Sequence, residues 1–161
     1  ADGGIVAGTM HKMGSLAVGK ESVSGENATA VGDKAKAGGY KAAALGYDSA
    51  ASGLSATALG GESKAEALRS VAVGFRAHAK GTNDVAVGGA AAASGGQSVA
   101  VGLLSKASAL RAVAVGNGAQ ASNIDAVAIG RDSEADALSA TALGDRAKAR
   151  GTQSQIGRAH V

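Results

Sequence analysis

The stretch Gly14-Ser15-Leu16-Ala17-Val18-Gly19-Lys20-Glu21 has the G-x4-G-K spacing of a loop that cradles phosphates. It ends in Glu where Ser or Thr would have to hold Mg²⁺, so it predicts no nucleotide site. Three histidines, His11, His78 and His160, carry donor atoms for a metal, but they lie far apart and have no cysteine beside them. The carboxylates Asp33, Asp48, Asp132 and Asp145 are scattered, and the Gly/Asp nonapeptide repeat that binds calcium is absent. The chain reads as a non-enzyme that needs no cofactor and no metal.

Other residues have the chemistry of a contact surface. Lys36, Lys64, Lys106 and Lys148, with His78 among them, recur at one position of a repeat and would line one edge of the molecule. Such a basic file attracts acidic glycans or matrix, although lysines also serve simply to keep a strand face in water. Phe75 beside Arg76, the pair Leu103 and Leu104, and Tyr47 beside Asp48 put larger side chains where other repeats carry small or charged ones. They are the candidate contact hot spots.

A short periodic unit positions all of these. Gly32, Gly46, Gly60, Gly74, Gly88, Gly102, Gly116, Gly130 and Gly144 are each fourteen residues from the next, and Gly19 and Gly157 extend the series by steps of thirteen. A fixed short period is the signature of a solenoid whose repeats pack only on their neighbours. Two residues before each of these glycines, from Ala17 to Ala142, the residue is always Ala, and the next is always Val, Leu or Ile. A V-A-V type strand therefore precedes each Gly, rich in β-branched residues. Gly then allows the unusual backbone of a tight corner. After the corner, small residues alternate with a more polar position, as in Ala35-Lys36-Ala37 and Ser105-Lys106-Ala107. That alternation predicts a second strand with one face buried and one in water. About ten coils at the ~4.8 Å strand spacing make a rod on the order of 50 Å long. Residues 1–15 read as a degenerate cap or coil, 16–152 as the repeats, and 153–161 as a degenerate last coil or tail.

The first strand is apolar on both faces, which calls for cover on both sides. Its Ala closes the coil, and no second layer of this chain is available for the rest. Val71, Val73, Val85, Val87, Val99, Val101, Val113, Val115, Val127 and Ile129 are thus expected to form a core or an interface with other copies of the chain.

Composition agrees with a thin core. Of 161 residues 26 are Gly, with no Pro, Trp or Cys, one Phe and two Tyr, and the 45% apolar fraction is mostly Ala and Val. The net charge of +3 with 2% aromatic residues argues against a nucleic-acid partner. The sequence shows no membrane span and no signal peptide, so any membrane anchor is expected outside this chain.

The motifs Ser70-Val71-Ala72-Val73-Gly74, Ser98-Val99-Ala100-Val101-Gly102 and Ala126-Val127-Ala128-Ile129-Gly130 resemble the repeat of YadA-type heads, found in the trimeric autotransporter adhesins of Gram-negative bacteria. The resemblance covers roughly 16–152. It implies an all-β, left-handed parallel β-roll of fourteen-residue coils, a homotrimer, and display at the cell surface through an outer-membrane anchor. It further implies adhesion to host cells, their receptors or glycans, or extracellular matrix. In a bacterial protein the sequon Asn27-Ala28-Thr29 is incidental. A purely structural or ice-binding solenoid is the alternative, but Thr29, Thr57 and Thr141 do not stack in consecutive coils. A hexapeptide-repeat acyltransferase would need coils in multiples of six, which fourteen is not.

Overall fold

The computed structural model describes residues 9–10 and 14–157. Most of the expected cap at 1–15, together with His11 and His160, lies outside the described residues. The chain winds as a parallel β-solenoid. Three-residue strands, from Leu16–Val18 to Gln155–Gly157, form one 11-stranded sheet, and two-residue strands, from Thr9–Met10 to Lys148–Ala149, form a second sheet of 11. Neighbouring strands pair in parallel one coil apart, so Val71 lies opposite Val85, which lies opposite Val99.

Each coil buries four small side chains. In the coil around Gly74 these are Ala72 on the longer strand, Ala77 and Ala79 on the shorter one, and Asp84 just before the next long strand. Elsewhere the same places hold Ala or Ser, nearly all fully buried, as with Ala86, Ala91, Ala93 and Ser98. Ala suits them because two backbones stacked this closely leave no room for a larger side chain. Most of the serines are tolerated because the hydroxyl finds a local acceptor, although the Ser24 and Ser154 hydroxyls find none among the described residues. Ser22, Ser63 and Ser105 donate to the carbonyls of Gly19, Gly60 and Gly102 at 2.8, 2.8 and 2.9 Å.

The repeat glycines take φ between 118° and 135°, a region that residues with a Cβ rarely enter. Space excludes a side chain as well: a Cβ on Gly74 would stand 2.7 Å from the carbonyl oxygen of Gly88. Two residues after each of these glycines the chain turns again through the left-handed region, mostly without glycine, as at Glu62, Arg76 and Leu104 with φ of 57°, 57° and 58°. A second left-handed residue marks the opposite corner, as at Arg69, Asn83 and Arg111. Each such conformation costs about 1 kcal/mol or more. The stack holds it in place, because the corner amides also bond from coil to coil. Arg76 N–H donates to Gly61 O at 3.0 Å and Asn83 N–H to Leu68 O at 2.9 Å.

The two thirteen-residue steps are absorbed differently. At the N-terminal end Ala17 still pairs with Ala30 and Val23 with Lys36, so the missing residue falls in the corner between Ser24 and Thr29. At the other end Gly157 lies opposite Leu143, and Ile156 opposite Ala142. Gly157 is therefore not a member of the glycine series, contrary to its spacing. The strand keeps the fourteen-residue register, so its sequence motif is one residue out of phase and its side chains fall on the opposite faces. Ile156 thus occupies the alanine column, where it is 41% exposed.

Candidate binding surface

The solenoid turns sequence positions into straight files of side chains. Lys36, Ala50, Lys64, His78, Ala92, Lys106, Gln120, Glu134 and Lys148 lie in one file of the short-strand sheet, each paired with the next coil's residue. The structure thus brings the five basic residues into line, although not as an unbroken stripe. Lys148 Nζ lies 2.9 Å from Glu134 Oε1, and Arg150 lies 3.3 Å from the same carboxylate. These two cations hold the Glu134 carboxyl below the usual carboxylate range. His78 Nε2 lies 3.0 Å from Glu66 Oε1. Lys36, Lys64 and Lys106 are exposed and take no ion pair among the described residues.

The corner after the repeat glycine holds the larger residues. Tyr47, Phe75 and Leu103 occupy one file there, 56%, 55% and 51% exposed, with Gly61 and Gly89 in the coils between them. The glycines make room for the larger groups. A Cβ on Gly61 would meet the Phe75 ring at 3.5 Å, and one on Gly89 would meet Leu103 Cδ1 at 3.0 Å. Arg76 lies over the Phe75 ring at 4.8 Å from its centroid, and Lys34 lies 5.8 Å from that of Tyr47. Arg76 also bonds Glu62 at 2.7 Å. A shallow groove of about 280 Å³ runs beside this file, lined by Asp48, Glu62, Lys64, Arg76, Ala77 and His78. Leu104 projects from the next position of its corner, 53% exposed.

On the outer side of the long-strand sheet, Val71, Val73, Val85, Val87, Val99, Val101, Val113, Val115 and Val127 are half-buried and Ile129 is exposed. None of them enters the coil interior, which belongs to the alanines. Leu45, Leu59 and Leu143 continue this apolar face.

Sequence reasoning missed two features. One is an apolar ridge along the second corner, where Tyr40, Leu54, Leu110, Ile124 and Leu138 are 38–47% exposed. Its fourteen-residue spacing was there to be read, but it lies between the strands on which the pattern was followed. The other is the buried carboxyl group of Asp84, which accepts from the Gly81 N–H at 2.6 Å.

Chemistry reads differently at the other positions first considered. Leu16–Val18, inside the phosphate-loop spacing, is a strand of the long-strand sheet. Among the described residues no three His, Cys, Asp or Glu converge as metal ligands.

Rigid coils that display files of side chains along a rod define a repeat-built binding module. The family model for the YadA head domain repeat (2 copies) matches residues 24–49, 51–77, 79–105, 107–133 and 135–154. The chain belongs to that family, and it is an adhesin-type head. Full-length matches span 26 or 27 residues, close to two coils of this solenoid, as a two-copy repeat requires. Among solved structures it is similar to the collagen-binding domain of the Yersinia adhesin YadA. The two share 26% identity at a TM-score of 0.59, over 96% of this chain and 72% of that one. No curated protein sequence matches it.

Proposed function

We propose that this chain is the head of a homotrimeric adhesin that binds host extracellular matrix or host-cell receptors and glycans, without catalysis. The observation that carries the trimer is the outer face of the long-strand sheet. Valines half-buried in a single chain alternate along it with fully buried alanines, and leucines such as Leu59 and Leu143 are 44% and 53% exposed. An apolar face of this length calls for cover, and a closed ring of copies covers it without leaving a free edge. The ten valine and isoleucine positions from Val71 to Ile129 then meet the other subunits. Lys36, Lys64, Lys106, Phe75, Leu103 and Leu104, on other faces, remain for the host ligand. His78 and Lys148 belong to the same file and take part through their acidic partners.

The similar Yersinia domain is described as collagen-binding, which makes collagen the first matrix protein to try. Display at the cell surface follows from the same reading, with an outer-membrane anchor supplied by regions beyond this chain. The test is binding of the purified chain to immobilised collagen, fibronectin and glycans, with its mass in solution measured by light scattering. Failure to bind any host component would overturn the adhesive reading, and a monomer would overturn the trimer.

A further inference from the structure

From the spacing of the apolar file at Tyr47, Phe75 and Leu103, we infer a docking track for an extended peptide in the polyproline II conformation, bearing an apolar residue at every third position and acidic residues between. This deepens the reading of the chain as a binding head and rests on it. The corner backbones stack coil on coil through Glu62 N–H to Tyr47 O, Arg76 N–H to Gly61 O, Ala90 N–H to Phe75 O and Leu104 N–H to Gly89 O, at 2.8–3.0 Å. Successive anchors are two coils apart, about 9.6 Å at the ~4.8 Å strand spacing.

A polyproline II helix repeats every three residues with a rise of about 9.3 Å per turn, so three anchors stay in step over two turns. An α-helix returns to the same face after seven residues and about 10.5 Å, and the error grows with each step. A β-strand shows one face about every 6.8 Å and misses the second anchor. The track also has the surface that polyproline II ligands use, an exposed ring flanked by a groove. Gly61 and Gly89 add no side chain between the anchors, and the Phe75 ring and Leu103 lean over them.

Charge selects the remaining positions of the ligand. Glu62 is engaged by Arg76, and Glu66 by His78. Lys34 beside Tyr47, and Lys36, Lys64 and Lys106 of the basic file, are exposed ammonium groups that have no acidic partner among the described residues. Acidic groups of the peptide complete those pairs.

The experiment uses the whole chain and a fluorescent nonapeptide, (Leu-Pro-Glu)3, read by fluorescence anisotropy. Saturable binding that weakens at least about tenfold in the double variant Tyr47→Ser, Phe75→Ser, with unchanged circular dichroism, supports the track. Equal binding of a nonapeptide of the same composition with leucine at every second position overturns it. So does undiminished binding by the double variant, or preference for a triple-helical (Pro-Hyp-Gly)10 peptide over the single strand. Matrix binding is measured in parallel. If it survives in the double variant and the nonapeptide does not bind, this track is wrong while the adhesive reading stands.

Discussion

The carboxyl group of Asp84 accepts both the N–H and the hydroxyl of Ser98, one coil further on, at 2.8 Å each. Both residues are fully buried. In other coils the corner before the long strand closes on itself, as where Ala112 N–H donates to Ala109 O at 3.0 Å. The corner at Gly95-Gly96-Gln97 instead has two successive residues at positive φ, 83° and 55°. Its Ser98 N–H turns to Asp84 of the coil before. Asp84 therefore splices together two coils whose corners differ in shape.

Replacing Asp84 tests that splice. Asp84→Ala fits the column, since Ala112, Ala126 and Ala140 fill it elsewhere. It also leaves the Gly81 and Ser98 amides without their acceptor, at a cost of about 1–3 kcal/mol for the buried Ser98 donor and less for the half-buried Gly81. The urea midpoint is expected to fall by the equivalent of about 2 kcal/mol or more, and a change within error would remove the splice from the account.

Glycine substitutions separate geometry from composition. Gly74→Ala meets both a φ of 125° and the Gly88 carbonyl, so a loss of about 3 kcal/mol or more is expected. Gly38→Ala has open space around it and no positive φ, so its effect stays within about 0.5 kcal/mol. Thermal melts of the two variants, followed by circular dichroism, decide the point.

The Arg111–Asp125 pair, bidentate at 2.6 and 2.7 Å, gives a pH dependence. The bonded Arg111 guanidinium holds the Asp125 carboxyl below its ordinary value. A carboxyl lowered in the folded state adds stability above its unfolded pKa, near 4, and that stability is lost as pH falls through the folded value. Wild-type protein is therefore expected to lose slightly more stability between about pH 5 and pH 2 than Asp125→Asn. The pair is exposed, so the difference is small. Urea midpoints across the acid range measure it, and parallel curves would refute the linkage.

The apolar face predicts the behaviour of Val101→Asp. A charge placed there leaves the alanine core intact and costs the assembly its cover. Light scattering is expected to show a trimer for the unaltered chain and a folded monomer for the variant. An intact trimer would show that this face does not meet other subunits.

The lysine file predicts unequal contributions. Lys36→Gln, Lys64→Gln and Lys106→Gln together are expected to weaken matrix binding and flatten its dependence on salt. Lys148→Gln changes little, because Glu134 already engages its ammonium group. Solid-phase binding at two salt concentrations distinguishes these outcomes. Salt-insensitive binding by the unaltered chain would exclude the lysines as its basis.

Much of this molecule is legible in one dimension because a solenoid is nearly one-dimensional. The fourteen-residue step places Val71, Val85 and Val99 in one column, and the alternation around Ala72 says which neighbours turn outward. Lys36, Lys64, His78 and Lys106 fall into file by the same arithmetic. Their partners were harder to read, since only side-chain geometry brings Glu66 beside His78 and Glu134 onto Lys148.

Periodicity determined the coil and its inner and outer faces. Only the folded chain decided where irregularities go. The steps from Gly19 to Gly32 and from Gly144 to Gly157 are both thirteen, yet the first is hidden in a corner, while at the second the strand keeps its fourteen-residue register and leaves Gly157 one place out of the glycine column. The Asp84–Ser98 bonds were likewise set by the shape of one corner. The reason is physical: a column is specified by side-chain size alone, whereas a corner depends on backbone dihedrals and on which amides find a partner in the coil beside it.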